Sequence, residues 1–388
     1  MEFSNLTPFP AMNFAALDQN DNGFEVVVAR FTFDLQMIDP AQGLARLVLA
    51  DEQSPLLMED QYYGEPNVST LRAESDLAPF KPKCDLIVVG HGHAPQGKPQ
   101  ARFQVGVQLG SVRKVLSVCG PRSWKHTLGG WVLSEPEPVS RVPLRYEYAY
   151  GGDCQSKKDP QRRESYPYNP LGRGFHPAWF IDEFKPEQLP APQIESPQAP
   201  LQRFDQPLPP EGFGAFGKAW QPRLPLAGSY DAQWVKERHP FLPENFNFAY
   251  WNGAHPDLQL PYPRGDEDIV LANLLPADTA PSGLVRFCLT GELPFVFFTT
   301  GSGLGMTRTL QLDTLLIDCD QRKVYATYRL ALSETLEIRQ IELRHLNRSE
   351  LPAQIARAEQ LSKDPQSRFF IPLPPEAQQV RAAEMARS

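Results

Sequence analysis

The sequence contains no Cys-x-x-Cys pair, no apolar run long enough to cross a membrane and no stripe of clustered Lys and Arg. Each absence removes a class of protein. The five cysteines, Cys84, Cys119, Cys154, Cys288 and Cys319, are odd in number and widely spaced, which argues against a disulfide framework and a structural zinc site. They read as buried free thiols of a reducing compartment. A membrane helix needs about 18 or more consecutive apolar residues, so no membrane span is expected. Met1-Glu2-Phe3-Ser4-Asn5 offers neither the basic nor the apolar region of a signal peptide, and a cytoplasmic setting is the expectation. The formal net charge is −8. Coating a phosphate backbone needs clustered cations, so nucleic acid is not an expected partner. The pairs Lys157-Lys158 and Arg162-Arg163 lie in a polar loop and read as solvated.

What is abundant is proline, with 40 in 388 residues. Proline fixes φ and removes a backbone donor, so this density excludes an all-helical bundle and favours short strands joined by rigid turns. At 41% hydrophobic residues the chain has the material for a core. Its length suggests two modules or one large β-rich domain with insertions.

Strand patterns fill the first part. In residues 24–35, Phe31, Phe33 and Leu35 alternate with Arg30, Thr32 and Asp34, the period of a half-buried strand, after an Asn22-Gly23 turn. Residues 44–49 form a short candidate partner, and residues 85–89 are continuously apolar, as in a central strand. Residues 103–109 and 112–118 flank Gly110 as a hairpin, and residues 142–150 read as a closing strand. Periodicity then stops. Residues 153–265 are rich in Pro, Gly and aromatic rings, with ten prolines between Lys185 and Leu226. Disordered linkers are poor in aromatics. Ordered coil draped over the sheets and pinned by its rings is therefore expected, with residues 186–210 the least ordered. Strands resume at residues 284–289, 295–299, 312–317 and 324–332, and residues 336–346 fit strand or helix. Residues 352–361 and 376–386 favour helix.

The expected fold is mainly β: antiparallel β-sandwich-like modules with long Pro/aromatic-rich irregular insertions and a short helical C-terminal tail. The expected divisions are residues 1–152, a β-rich module; 153–265, the irregular region; 266–346, strands completing the core; and 347–388, the tail.

No motif makes a convincing catalytic or metal centre. His91-Gly92-His93 presents two imidazoles on one side of an extended segment near Asp85, but no third ligand falls at a familiar spacing. Gly301-Ser302-Gly303-Leu304-Gly305 lacks the Lys-Ser/Thr of a phosphate loop and reads as a turn. Arg72, Glu74 and Asp76 share one face if extended, as do Arg145 and Glu147. Such carboxylates serve acid–base chemistry or an ion-pair ladder holding loops together, and Lys81 and Lys83 are placed to join the ladder. Tyr62-Tyr63 on a turn before Gly64 are candidate interaction anchors.

A wider set of motifs resembles one bacterial family. It includes Asn5-Leu6-Thr7-Pro8-Phe9-Pro10, Ala50-Asp51-Glu52-Gln53, Tyr62-Tyr63-Gly64 and the run Leu71-Arg72-Ala73-Glu74-Ser75-Asp76-Leu77-Ala78-Pro79-Phe80-Lys81-Pro82. Further on come Leu133-Ser134-Glu135-Pro136, Pro143-Leu144-Arg145-Tyr146-Glu147-Tyr148, Tyr168-Asn169-Pro170-Leu171-Gly172-Arg173-Gly174-Phe175 and Trp220-Gln221-Pro222-Arg223. Ala227-Gly228-Ser229-Tyr230-Asp231 and Arg264-Gly265-Asp266-Glu267 complete the set. The resemblance spans residues 1–332 and is to proteins encoded beside type VI secretion effectors. It implies a cytoplasmic adaptor or chaperone that binds an effector, often one with a PAAR tip domain, and loads it onto the VgrG spike. It carries over no active-site motif, and no cofactor is expected. Two alternatives stay open: a carboxylate-dependent hydrolase or carbohydrate-active β-protein using Glu74, Asp76 or Glu147, and a structural part of the secretion spike.

Overall fold

The computed structural model describes residues 1–353. The helices expected at residues 352–361 and 376–386 lie, apart from Pro352 and Ala353, outside the described residues. The chain is mainly β. At its centre is the strand Gly23–Asp39, 17 residues long. Its run of Val, Phe and Thr suits a pleated, packed surface. One flank pairs antiparallel with Lys323–Ser333 along its length, from Phe24↔Ser333 to Asp34↔Lys323. The other flank is shared, with Ala11–Leu17 taking residues 23–29 and Leu44–Leu49 taking residues 33–39.

These strands belong to a 12-stranded sheet. Beyond Leu44–Leu49 it continues through Leu284–Cys288, Asp268–Ala272, Arg102–Leu109, Val112–Cys119 and Ile194–Glu195. Beyond Lys323–Ser333 it continues through Gln311–Asp318, Cys84–Val89 and Gln259–Leu260. Most ladders are antiparallel, but Gln311–Asp318 runs parallel to Cys84–Val89. A separate 4-stranded sheet joins Glu2–Asn5, Gln340–Asn347, Glu292–Thr299 and Gly305–Thr309.

The strand Gly23–Asp39 is buried on both faces over its middle, so its alternation does not divide core from solvent there. Arg30 and Thr32 are as enclosed as Phe31 and Phe33. Residues 50–81 cover that face. Within them the Gln53 side chain acts as a one-residue strand. Its Oε1 accepts from the Thr32 amide at 2.8 Å and its Nε2 donates to the Thr32 carbonyl at 3.0 Å.

Residues 142–150 do not form one strand. They break into Arg141–Pro143, a 3₁₀ turn Tyr146–Tyr148 and Tyr150–Gly151. The cause is Tyr146, which turns inward to full burial and donates its hydroxyl to the Gly214 carbonyl at 3.1 Å. Residues 336–346 resolve into the strand Gln340–Asn347 after a 3₁₀ turn.

The irregular region packs on the sheets. Phe213, Phe216 and Trp220 enter the main core with Phe31, Leu86 and Leu315. Residues 186–210, expected to be the least ordered, are anchored instead. Leu189, Leu201 and Leu208 build a second, smaller core with Trp124 and Tyr150. Glu195, nearly free of solvent, holds Arg122 at 2.7 Å and also pairs with Arg102.

Candidate functional site

The segment from Leu71 to Asp85 crosses the sheet face carrying Arg30, Thr327 and Arg329. Leu71 and Ala73 point into the core and Arg72 points away, the alternation of a short strand, Leu71–Ala73. The acids and bases of this segment then meet partners from distant strands. Asp76 accepts from Arg30 at 2.9 Å, from the Thr327 hydroxyl at 3.0 Å and from the Leu57 amide at 2.8 Å. Arg329 donates to the Asp76 carbonyl at 2.7 Å and pairs with Asp313 at 2.6 Å. Lys81 bridges Asp85 at 2.9 Å and the Thr314 hydroxyl at 2.8 Å. Burial opposes the Lys81 charge, but the Asp85, Glu74 and Asp313 carboxylates together outweigh it and hold the ammonium above its usual value. Asp85 takes three further donors, the Asn252 side chain and the Gly253 and Ala254 amides, at 3.1–3.3 Å.

Glu74 does not pair with its neighbour Arg72. It reaches Arg223 at 2.8 Å, while Arg72 reaches Asp318 at 2.7 Å. Arg223 is the bulkiest fully buried side chain among the described residues. Its guanidinium also donates to the Phe216 carbonyl at 2.6 Å and the Tyr250 carbonyl at 2.8 Å. A planar fork with several donors suits this junction, where a point-charge ammonium does not. The cavity bounded by Arg30, Glu74, Asp76 and Lys81 holds about 20 Å³, too little for any substrate larger than water.

The second predicted pair, Arg145 and Glu147, divides in the same way. Arg145 lies over the Tyr63 ring at 3.8 Å. Burial pushes the Tyr63 phenol up to about 12 despite that cation. Glu147 accepts from the Thr70 amide at 2.8 Å and also accepts from the Thr70 hydroxyl. The Lys83 side chain is exposed, and its carbonyl accepts from Asn252 at 2.8 Å. His91 is held by both oxygens of Asp320 at 2.9–3.0 Å, with His93 beside it. Among the described residues no group of three or more His, Cys, Asp or Glu is placed to hold a metal ion.

Tyr62 does something different. It lines a cleft of about 350 Å³ together with Tyr166, Pro167, Pro170 and Trp220. Three separate stretches of chain converge there. The Gln221 amide donates to the Pro167 carbonyl at 2.9 Å, and the Tyr166 hydroxyl donates to the Leu208 carbonyl at 3.0 Å. Lys218, at the same cleft, pairs with Asp60 at 2.7 Å. Val68, Tyr168 and Leu224 are exposed. A larger groove of about 580 Å³ beside Ser134 and Glu135 is polar. Its arginines are already committed, Arg122 to Glu195 and Arg173 to the Glu147 carbonyl at 2.7 Å.

One cluster was not anticipated. Lys114 binds Glu211 at 2.6 Å and Asp257 at 2.9 Å and approaches His255 Nε2 at 3.3 Å. Burial, then the Lys114 charge, pulls the His255 imidazole down to about 4. The signal was available: Lys114 occupies the strand face of Val112, Leu116 and Val118, where a lysine needs a buried acid.

These features define a mainly β scaffold laced by internal ion pairs. The chain belongs to the family described as an uncharacterized protein conserved in bacteria (DUF2169), which matches residues 22–329. No curated protein and no solved structure matches it.

Proposed function

We propose that the chain is a protein-binding adaptor, and that it serves type VI secretion in the cytoplasm. It would bind a cognate effector or PAAR protein, shield it and pass it to the VgrG spike. One observation supports the binding part above all. Glu74, Asp76, Asp85 and Glu147 are each held by internal partners, while the aromatic cleft around Tyr62 opens outward. Carboxylates committed to Arg, Lys and backbone donors are poorly placed for acid–base work. A cleft of tyrosine, tryptophan and proline offers rigid area at low conformational cost, the usual composition of binding hot spots. The secretion setting rests on the motif resemblance set out above. No helix among the described residues is long and apolar enough to cross a membrane.

The test is co-expression with the effector, PAAR and VgrG proteins of its own locus, followed by size-exclusion chromatography. Co-elution with one of them is expected, and Tyr62→Ser should weaken it while the far-ultraviolet circular dichroism spectrum stays unchanged. Failure to co-elute with any of the three overturns the reading. So does a turnover that Glu74→Gln abolishes, which would establish a hydrolase. Recovery of the chain in secreted, sheared spikes would make it a spike component instead.

A further inference from the structure

The strand Ala11–Leu17, sequence Ala-Met-Asn-Phe-Ala-Ala-Leu, lies at a sheet margin. It pairs with Gly23–Asp39 on one side, and among the described residues no strand pairs with the other. Edge strands are normally guarded by lysine, proline or a bulge, because a free row of N–H and C=O groups recruits another chain. This strand has no charge, no proline and an unbroken register of seven paired residues. Ala15 and Leu17 are exposed. The second half of the strand borders a groove of about 420 Å³, lined also by Phe24 and Ile338. The side chains of Glu25, Glu334 and Glu337 line it, and no Lys or Arg does. Glu25 accepts from the Asn13 side chain, and among the described residues none of the three carboxylates has a cationic side chain at ion-pair distance, whereas the acids of the buried seam are all paired.

We propose that this edge and groove take an extended segment of a partner protein, apolar at alternate positions and carrying Lys or Arg between them, added as a further strand. Backbone pairing supplies affinity, the apolar lining selects alternate side chains, and the carboxylates without a cationic partner select cations. The inference stands apart from the aromatic cleft and does not need the secretion setting.

The probe is a fluorescein-labelled ten-residue peptide alternating Val with Lys, titrated against the full chain by anisotropy at low salt. The comparison peptide carries Glu in place of Lys. The Lys peptide is expected to bind at least about tenfold more tightly, with affinity falling as salt rises. Two exposed substitutions test the two halves of the site. Ala15→Lys should guard the edge, and Glu337→Lys should remove the charge preference, with the far-ultraviolet circular dichroism spectrum unchanged in both. Equal affinity for the two peptides, or no loss on Ala15→Lys, overturns the proposal. A photoreactive residue at Leu17 of the chain alone decides the occupant. A cross-link to residues beyond 353 would give the groove to the chain's own continuation, and a cross-linked dimer would give it to a second copy. Either result overturns a partner peptide. Loss of peptide binding with co-elution of the locus proteins intact would refute this inference and leave the adaptor reading standing.

Discussion

The seam of charges beneath residues 71–85 lies on long-laddered strands of the large sheet, whereas the irregular stretch of residues 153–265 has few ladders, and the two are held by different means. In the seam, ionised side chains pair with ionised side chains: Arg30 with Asp76, Arg329 with Asp313, Lys81 with Asp85. In the stretch, single long side chains take up loose carbonyls. Asn169 donates to the Tyr146 and Tyr150 carbonyls at 2.8 and 3.0 Å, and Arg223 gathers those of Phe216 and Tyr250. Aromatic pairs do the rest, as where Trp131 stacks on Phe204 at 4.4 Å. Backbone without a strand partner must still satisfy its polar groups when buried. A coil this long is ordered because side chains supply what a ladder would have supplied.

The comparison is most severely tested at its junction, Glu74 to Arg223. Asp76→Ala strands Arg30 and the Thr327 hydroxyl and should cost about 3–5 kcal/mol in denaturant unfolding. Arg223→Ala strands Glu74 and two carbonyls, and a loss of similar size, about 3–5 kcal/mol, is expected. If seam and stretch form one cooperative unit, both variants shift a single transition. A separate early transition in Arg223→Ala alone would show that the stretch unfolds by itself.

Acid should act on the second core. Both nitrogens of His176 are buried without a partner among the described residues, and the ring stacks near Phe180 and Phe204. Burial pulls its imidazole from 6.5 down to about 4. The unfolded chain then binds more protons between these values, so stability falls as pH drops from about 6.5 to 4, by about 2–3 kcal/mol at most from this group. His176→Phe keeps the stack and should flatten that limb of a stability–pH curve; an unchanged slope would assign acid lability to other groups such as His255. The smallest effect is expected at the half-exposed pair of Lys323 and Asp34, where Lys323→Ala should move stability by less than about 1 kcal/mol.

How much of this was legible follows from where each signal resides. Period-2 patterns are local, so the hairpin of Arg102–Leu109 with Val112–Cys119 and the strand Lys323–Ser333 stand out in sequence. The edge strand Ala11–Leu17 did not, because small residues over a half-exposed face leave no alternation to read. Residues 142–150 misled because inward Tyr146 obeys a distant carbonyl, Gly214, and not its own neighbours. The charged motif was visible, but its pairing was not. Adjacent Arg72 and Glu74 look like partners, and each chooses a residue far along the chain. The Tyr62 cleft was visible in only one of its walls, since three segments must fold together to make it.

The long central strand Gly23–Asp39 has a consequence for biogenesis. Its full-length neighbour, Lys323–Ser333, comes from the opposite end of the described chain. On a ribosome the strand Gly23–Asp39 would therefore emerge, pair locally and wait, with one flank bare until residues 323–333 had been made. Contacts of such sequence separation close late and slowly. During that interval the nascent protein resembles the clients it is proposed to protect, a sheet flank seeking a partner, and its own yield should depend on what covers that flank in the meantime.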